Sequence, residues 1–283
     1  MTDSRRSCLS VPASSEKMLA KARSLPADEV VIDLEDSVPA ELKEEARAAT
    51  VAALGEDWGD RAVAVRVNPV GGEWWERDAA DLAAAGGALS SLVVPKVEHA
   101  ADVEAVAAVA GELGLQALIE TAAGLVKVAE IAAASPRLEA LIIGYADLAA
   151  SLGTPSSGAY DGDRWHWARE QVLVHARAAG LAAIDGPWLA VDDTDGFSRS
   201  TGEARALGFD GRWAVHPSQV EALNEAFSPT REEFDRAGEV LAALGRGSEA
   251  GRGAVRHDGE MIDEASRRQA TAVVARGEAA GLS

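Results

Sequence analysis

Val30-Val31-Ile32-Asp33-Leu34-Glu35-Asp36 shows the pattern from which the fold can be predicted: a short apolar run that ends abruptly on carboxylates. Further apolar runs recur along the chain, and each leads to an ionisable residue: Arg66, Lys96, Glu120, Asp147, Asp185 and His216. A buried parallel strand reads as a continuous apolar run, and the active site of a parallel α/β barrel lies where such strands end. The pattern therefore predicts that one rim of the fold carries these ionisable groups.

Segments with apolar residues three and four positions apart separate these runs, which predicts alternating strands and helices. With Cys8 to Pro12 as the first strand, the chain contains eight predicted strands, and right-handed crossovers can close them into a (β/α)8 TIM barrel. The length of 283 residues fits this α/β fold. A doubly wound open sheet is the alternative, but Val11-Pro12-Ala13-Ser14-Ser15 lacks the glycine fingerprint of dinucleotide-binding sheets.

The sequence pattern changes after the eighth predicted strand. We expect a catalytic barrel domain over residues 1–228 and a C-terminal region over residues 229–283. In the second region, a helix to about Leu244 is followed by a glycine-rich hinge over residues 245–253, a small hairpin with an Asp-Gly turn, and a last helix. Such an arm can pack on its own barrel or on a neighbouring subunit, and the sequence leaves both open.

Charge and composition exclude several classes of protein. A formal net charge of −19 argues against nucleic acid as a partner, because phosphate binding needs clustered Lys and Arg. A small anionic substrate, held by a few cations or a metal, remains compatible. No apolar run is long enough for a membrane span and no signal-type stretch follows Arg6, so we expect a cytoplasmic protein without membrane contact. The single cysteine, Cys8, is expected to be a buried thiol.

Eight motifs follow one another along the chain. They are residues 6–12, residues 31–38 with Lys43 and Arg47, Arg66-Val67-Asn68, residues 94–98, residues 119–124, Asp147-Leu148, residues 184–187 and residues 216–219. Together they resemble the citrate lyase beta subunit-like, CoA-ester lyase (HpcH/HpaI aldolase) family. Met261-Ile262-Asp263 is also similar to the C-terminal signature of the malyl-CoA and citramalyl-CoA lyase branch. The resemblance covers nearly the whole chain.

This resemblance implies a Mg²⁺-dependent lyase that breaks or forms a carbon–carbon bond between a CoA thioester and a 2-oxo acid such as glyoxylate, pyruvate or oxaloacetate. Glu120 and Asp147 match the two metal-binding carboxylates. Carboxylates combined with water suit Mg²⁺. Arg66 matches the substrate-side guanidinium, whose fork can grip a carboxylate or stabilise an enolate. Glu35 and Asp36 are expected to accept hydrogen bonds from metal-bound water and from Arg66.

The resemblance also implies roles outside the metal site. Asp263 matches a catalytic acid–base aspartate supplied by the arm of an adjacent subunit in a homotrimer or hexamer. Ser14 and Lys17 are the polar groups available to the nucleotide end of CoA. Two positions depart from the family pattern: Ala13 replaces a usual glycine, and Tyr145-Ala146 precede Asp147 where relatives often carry an acidic residue.

Each assignment has a simpler alternative. Asp263 is also placed to cap the last helix, and Arg66 could form an ion pair with Glu35 or Asp36. Lys96 could form a Schiff base, as in metal-free barrel aldolases, or a simple ion pair at the rim. For the whole protein, the alternatives are a citryl-acyl-carrier-protein lyase subunit of citrate lyase, a non-catalytic barrel that binds a 2-oxo acid, and a CoA-free pyruvate aldolase.

Overall fold

The computed structural model describes residues 4–154 and 163–283 of the chain. The chain divides into two compact units, Met1–Asn224 and Glu225–Ser283. The first unit contains the barrel, and the second contains the C-terminal helices and a hairpin. Among the described residues, no helix combines the length and the apolar character that crossing a membrane requires.

Within the described residues, eight parallel strands form a closed barrel in chain order, and the last strand pairs with the first. This confirms the predicted (β/α)8 barrel and is incompatible with an open sheet. The strands are β1 (Ser7–Pro12), β2 (Glu29–Asp33), β3 (Ala62–Arg66), β4 (Leu89–Val94), β5 (Gly114–Ile119), β6 (Leu138–Ile143), β7 (Ala182–Asp185) and β8 (Gly211–Ala214).

Helices connect successive strands, as the periodicity predicts. One difference is a break at Lys127, which ends one short helix and begins the next within a segment that reads as one helix. The helices of this part of the chain are α1 (Glu16–Ala22), α2 (Lys43–Leu54), α3 (Trp75–Ala85), α4 (Ala100–Val109), α5 (Ala122–Val126), α6 (Val128–Ala132), α7 (Tyr145–Ser151), α8 (Asp163–Ala179), α9 (Thr194–Leu207) and α10 (Val220–Phe227), with 3-10 turns at Ala40–Leu42 and Pro217–Gln219.

The barrel interior is filled by one buried cluster that takes at least one side chain from every strand. Its members are Cys8, Val31, Ala64, Val93, Leu118, Ala140, Ile142, Ile184 and Trp213. Cys8 is a free, fully buried thiol, as expected from the sequence. Because these side chains fill the barrel interior, the barrel is not a channel, and we expect the active site at a rim.

Strand register brings the predicted site residues to one rim. Asp33 is the last residue of β2 and lies beside Arg66, the last residue of β3. Ile119 and Ile143, the last residues of β5 and β6, are also partners, and the Gly144 N–H donates to the Ile119 carbonyl over 3.0 Å. Glu120, which follows Ile119, therefore lies beside Gly144, which precedes the helix that carries Asp147, at the carboxyl end of the barrel.

The second unit contains α11 (Arg231–Glu249), the antiparallel strands β9 (Val255–His257) and β10 (Glu260–Ile262), and α12 (Glu264–Ala279). The predicted hairpin is present, and Asp258 and Gly259 form its turn with φ values of 46° and 86°. The helix before it extends beyond the predicted end at Leu244, so Gly245 and Gly247 are helical rather than part of a hinge. Gly247 allows close packing, because a Cβ there would clash with Val255.

Candidate active site at the barrel mouth

The carboxyl end of the barrel brings together five of the residues that the sequence singles out. Arg66 ends β3, Glu120 follows β5, and Asp147 lies in the first turn of α7. Glu35 and Asp36 follow β2, and both lie within ion-pair distance of Arg66. Carboxylates from three strand ends thus surround one region of the rim.

Glu120 is a buried carboxylate with few compensating contacts. Its Oε1 accepts a 2.8 Å hydrogen bond from the backbone N–H of Lys96. Gly144 provides room for it, because a Cβ at this position would lie 2.6 Å from Glu120 Oε2. Burial, and then the charge of Glu35, raise the pKa of Glu120 to about 8, although Arg66 acts in the opposite direction. A bound cation would relieve this cost of ionisation.

Arg66 is held rigidly, and its main partner is a residue that the sequence did not single out as functional. Its Nε and Nη2 donate to the two carboxylate oxygens of Asp33 over 2.7 and 2.8 Å. Its Nη1 lies 2.8 Å from Glu35 Oε2, and its guanidinium lies over the ring of Trp213. The expected ion pair with Glu35 is therefore present, and the fork–fork pair with Asp33 fixes the guanidinium plane.

Burial alone would raise the pKa of the Asp33 carboxyl, but the hydrogen bonds and charge of Arg66 outweigh it and lower the pKa. Asp33 therefore stays ionised as the permanent partner of the guanidinium. The sequence signal that could have identified it is that Asp33 directly follows the apolar run of one strand and Arg66 that of the next.

Lys96 connects the carboxylates of the rim. Its ammonium donates to Glu35 and to Asp36 Oδ1, the latter over 3.2 Å, and lies 3.8 Å from Asp147 Oδ1. Burial lowers the pKa of the ammonium, but the hydrogen bond and charge of Glu35 outweigh this and raise it. The structure thus shows the ion-pair alternative for Lys96, and a strongly held ammonium is a poor nucleophile for imine formation.

Lys43, which belongs to one of the family motifs, supports the loop after β2. Its Nζ donates to the carbonyl oxygens of Leu34 and Glu35 over 2.7 and 2.6 Å. These bonds fix the backbone that presents Glu35 and Asp36 to the rim. The motif lysine therefore contributes to the position of the carboxylates.

The remaining predicted site residues are Ser14, Lys17 and Asp263. Ser14 and Lys17 are exposed, in the turn after β1 and in the first turns of α1. Asp263 belongs to the second unit, where it caps α12 and its Oδ1 accepts hydrogen bonds from the N–H groups of Ala265 and Ser266 over 2.8 and 3.3 Å. The capping alternative for Asp263 is therefore observed, and a catalytic role stays a prediction.

Two other strand-end residues of the same rim have structural partners. Asp185 is completely buried, accepts a hydrogen bond from Tyr145, and lies 3.0 Å from Arg169 Nη2. His216 caps the 3-10 turn after β8 and accepts from the Ser218 N–H, as expected for a residue that fixes the end of that strand. Tyr145, at one of the positions that depart from the family pattern, thus belongs to the Asp185 network.

The chemistry of the donor set fits a hard divalent cation. Glu35, Asp36, Glu120 and Asp147 offer only carboxylate oxygens, which are the protein ligands that Mg²⁺ prefers. One ammonium, that of Lys96, lies among them. Arg66 pairs with Asp33, Glu35 and Asp36 at the same rim, so with Asp33 five carboxylates outnumber the two cations that pair with them, and the rim can accept further positive charge. A parallel barrel with such an acidic mouth and a fixed arginine defines a class of enzymes that stabilise oxyanions with a metal and a guanidinium.

Comparison with known proteins finds a matching family and two similar enzymes. Residues 6–217 match the model of the HpcH/HpaI aldolase/citrate lyase family. The L-malyl-CoA/beta-methylmalyl-CoA lyase of Cereibacter sphaeroides is 38% identical over 294 residues, covering 94% of this chain and 91% of that protein. The (3S)-malyl-CoA thioesterase of the same species is 38% identical over 277 residues, covering 97% and 95% of the two chains.

Comparison with solved structures finds a similar protein as well. The CitE protein of Mycobacterium tuberculosis, in complex with magnesium, acetoacetate and coenzyme A, superimposes with a TM-score of 0.83 at 34% identity, covering 98% of this chain and 100% of that one. The chain belongs to the HpcH/HpaI aldolase/citrate lyase family. The predicted family and the predicted carbon–carbon lyase class are thereby confirmed.

Proposed function

We propose that this protein is a Mg²⁺-dependent lyase that cleaves or forms a 3-hydroxyacyl-CoA, such as malyl-CoA or citramalyl-CoA, with acetyl-CoA and a 2-oxo acid as the other partners of the reaction. The observation that supports the proposal is the geometry around Lys96: its backbone N–H donates to Glu120 over 2.8 Å, and its ammonium pairs with Glu35 and lies 3.8 Å from Asp147. The fixed guanidinium of Arg66 lies 2.8 Å from the same Glu35. The names of the relatives, and the magnesium and coenzyme A bound to the mycobacterial CitE protein, support the same reaction.

Glu120 and Asp147 would hold the metal, which supplies Lewis-acid stabilisation of negative charge on the substrate oxygens. In the cleavage direction a base removes the proton of the 3-hydroxyl, the C2–C3 bond breaks, and its electron pair passes to the thioester as an enolate. The enolate then takes a proton to give acetyl-CoA. Arg66, locked by Asp33, would stabilise the developing oxyanion without reorganising, because its plane is already fixed.

Asp263 of an adjacent copy would serve as the acid–base group, in a homo-oligomer of trimeric or hexameric form. The variant Asp263→Asn separates this role from capping, since Asn caps a helix about as well as Asp. We expect turnover to fall by about a hundredfold or more, with Mg²⁺ affinity and melting temperature retained. Asp258→Asn, a matched change in the hairpin turn, is expected to leave turnover unchanged. Near-normal turnover of Asp263→Asn would remove the arm from the mechanism.

Hydrolysis of the same thioester is the second candidate, because the thioesterase relative matches a larger share of this chain at the same identity. There, water adds to the thioester carbonyl and the C–S bond breaks, which gives malate and free CoA. The two reactions share a substrate and differ in their products.

Product analysis distinguishes the two. Malyl-CoA and citramalyl-CoA are incubated with the enzyme in Mg²⁺ or in EDTA, and both the CoA species and the acids are quantified. Acetyl-CoA with glyoxylate or pyruvate, in equal amounts and only in Mg²⁺, is the expected result. Free CoA with malate or citramalate would identify a thioesterase. Cleavage that persists in EDTA and is trapped by borohydride would instead indicate imine chemistry at Lys96.

A further inference from the structure

Lys96 has an unusual backbone conformation at a chemically important position. Its φ is +50°, and among the residues that the structure describes only Asp258, in the hairpin turn, shares this property without being glycine. The left-handed region is unfavourable for a residue with a Cβ, and such strain persists where the surroundings impose it. Glycine would adopt this conformation without strain, so a lysine here points to a use for its side chain.

The backbone and the side chain of Lys96 contact different members of the carboxylate cluster. The backbone N–H donates to Glu120 over 2.8 Å. The ammonium pairs with Glu35 and Asp36 and lies 3.8 Å from Asp147. One residue therefore contacts both of the carboxylates assigned to the metal.

The two cations of the cluster differ in how they can move. Arg66 is held by two hydrogen bonds to Asp33 and is buried, so its charge is fixed in place. The Lys96 side chain is 30% exposed and ends in a compact ammonium on a flexible stem. An ammonium has three donors and no acceptor, so it cannot ligate a metal and can only compete with one for carboxylate oxygens.

We propose that the Lys96 ammonium is the counter-ion of the metal-free site, and that a divalent cation binds by displacing it from Asp147 and the neighbouring carboxylates. This inference rests on the proposed function and identifies the residue that sets the affinity of the enzyme for its metal. In the metal-free enzyme, the ammonium of Lys96 balances part of the negative charge of the acidic rim. The same contacts make the site bind Mg²⁺ more weakly than its carboxylates alone would.

The test is a measurement of Mg²⁺ affinity by titration calorimetry on metal-free protein, together with the rise in melting temperature that saturating Mg²⁺ causes. Lys96→Met removes the ammonium and keeps an unbranched side chain that is only one atom shorter. It is expected to bind Mg²⁺ about tenfold more tightly or better, because a nearby positive charge is lost. Its metal-free form is expected to melt lower, and Mg²⁺ to raise its melting temperature further than that of the wild type. Lys96→Arg keeps the charge and should stay close to the wild-type affinity.

Two further variants separate the ammonium from other effects. Lys21→Met removes the same charge from an exposed position on α1 and should not change the affinity. Lys96→Gly removes the ammonium, relieves the positive φ and keeps the N–H group that Glu120 uses, so it should also bind Mg²⁺ more tightly. If Lys96→Met does not fold, Lys96→Ala takes its place, because it also lacks the ammonium but keeps a Cβ and the positive φ.

Unchanged or weaker Mg²⁺ binding by Lys96→Met overturns the inference. Tighter Mg²⁺ binding by Lys96→Gly but not by a folded Lys96→Met also overturns it, because the effect would then come from the backbone. The proposed function fails in a different way. If the wild type binds no Mg²⁺ and cleaves no thioester, the metal site itself is wrong. If the wild type binds Mg²⁺ and cleaves the thioester but Lys96→Met has the same affinity, only the role of Lys96 is wrong.

Discussion

At the β7–β8 side of the barrel mouth, Asp185 lies completely buried between Arg169 and Arg212, whereas at the β2–β6 side Glu120 is buried beside further carboxylates. Both residues follow the same sequence rule, an apolar strand that ends on an acid. They differ in the charges around them. Two guanidinium groups lie within 3.5 Å of Asp185, whereas the charges of Glu35 and Asp147 raise the pKa of Glu120 and Arg66 only partly offsets them.

We expect this difference to distinguish carboxylates that stabilise the fold from carboxylates that bind a ligand. A buried carboxylate that is matched by cations stabilises the fold only as part of its pair, and breaking the pair is costly. A buried carboxylate in an acid-rich cluster holds unfavourable charge that a ligand can relieve, and such sites are candidates for catalysis. The three predictions below test whether the two halves of the mouth behave in these opposite ways.

The largest expected effect is on activity in Glu120→Gln. If Glu120 is a metal ligand as proposed, its loss abolishes measurable Mg²⁺ binding and lowers turnover by about a thousandfold or more, because a bound metal contributes several kcal/mol to transition-state stabilisation. The pKa of Glu120 is raised to about 8, so ionisation destabilises the metal-free fold as pH rises above about 4.5. At pH 8 the metal-free variant should therefore melt at the same temperature as the wild type or higher. A lower melting temperature would mean that Glu120 is structural, like Asp185.

The opposite result is expected for Asp185→Asn. Removing this charge leaves Arg169 and Arg212 buried without their common partner, which costs about 3–5 kcal/mol of folding free energy. Denaturant unfolding of metal-free protein measures the loss. The folded fraction should still bind Mg²⁺ in calorimetry, since Asp185 is not among the carboxylates that surround Lys96. Loss of Mg²⁺ binding without loss of stability would place Asp185 in the metal site and remove the contrast.

Much of the fold follows from the sequence, because each buried strand reads as a separate apolar run and the helices between the strands keep their own periodicity. The places where the sequence reasoning failed depend on tertiary contacts. The helix that continues through Gly245 and Gly247 is an example, since Gly247 lets Val255 pack closely against it. Helix propensity alone ends the helix at these glycines.

The position of the candidate residues could be predicted in part. The placement of Glu120, Asp147 and Arg66 at one rim follows from strand ends together with the family resemblance, while their roles stay a prediction. The pair of Asp33 and Arg66 depends on the register between β2 and β3, which the sequence does not specify. The room that Gly144 leaves for Glu120 depends on the approach of two loops. The structural role of Asp185 was likewise invisible, because its arginine partners come from α8 and β8.

The smallest of the three effects is the pH dependence of Mg²⁺ binding. With a folded-state pKa of about 8, Glu120 carries a proton in much of the metal-free protein at neutral pH, and the metal must displace it. The affinity should rise with pH by up to about tenfold per unit between pH 6 and pH 8 and level off above that range. Calorimetry in buffers of different ionisation enthalpy should show release of up to one proton per Mg²⁺ at pH 6.5. A Mg²⁺ affinity that does not change over this pH range would show that Glu120 is already ionised in the metal-free protein. Its charge would then be balanced by its surroundings, as the charge of Asp185 is by Arg169 and Arg212.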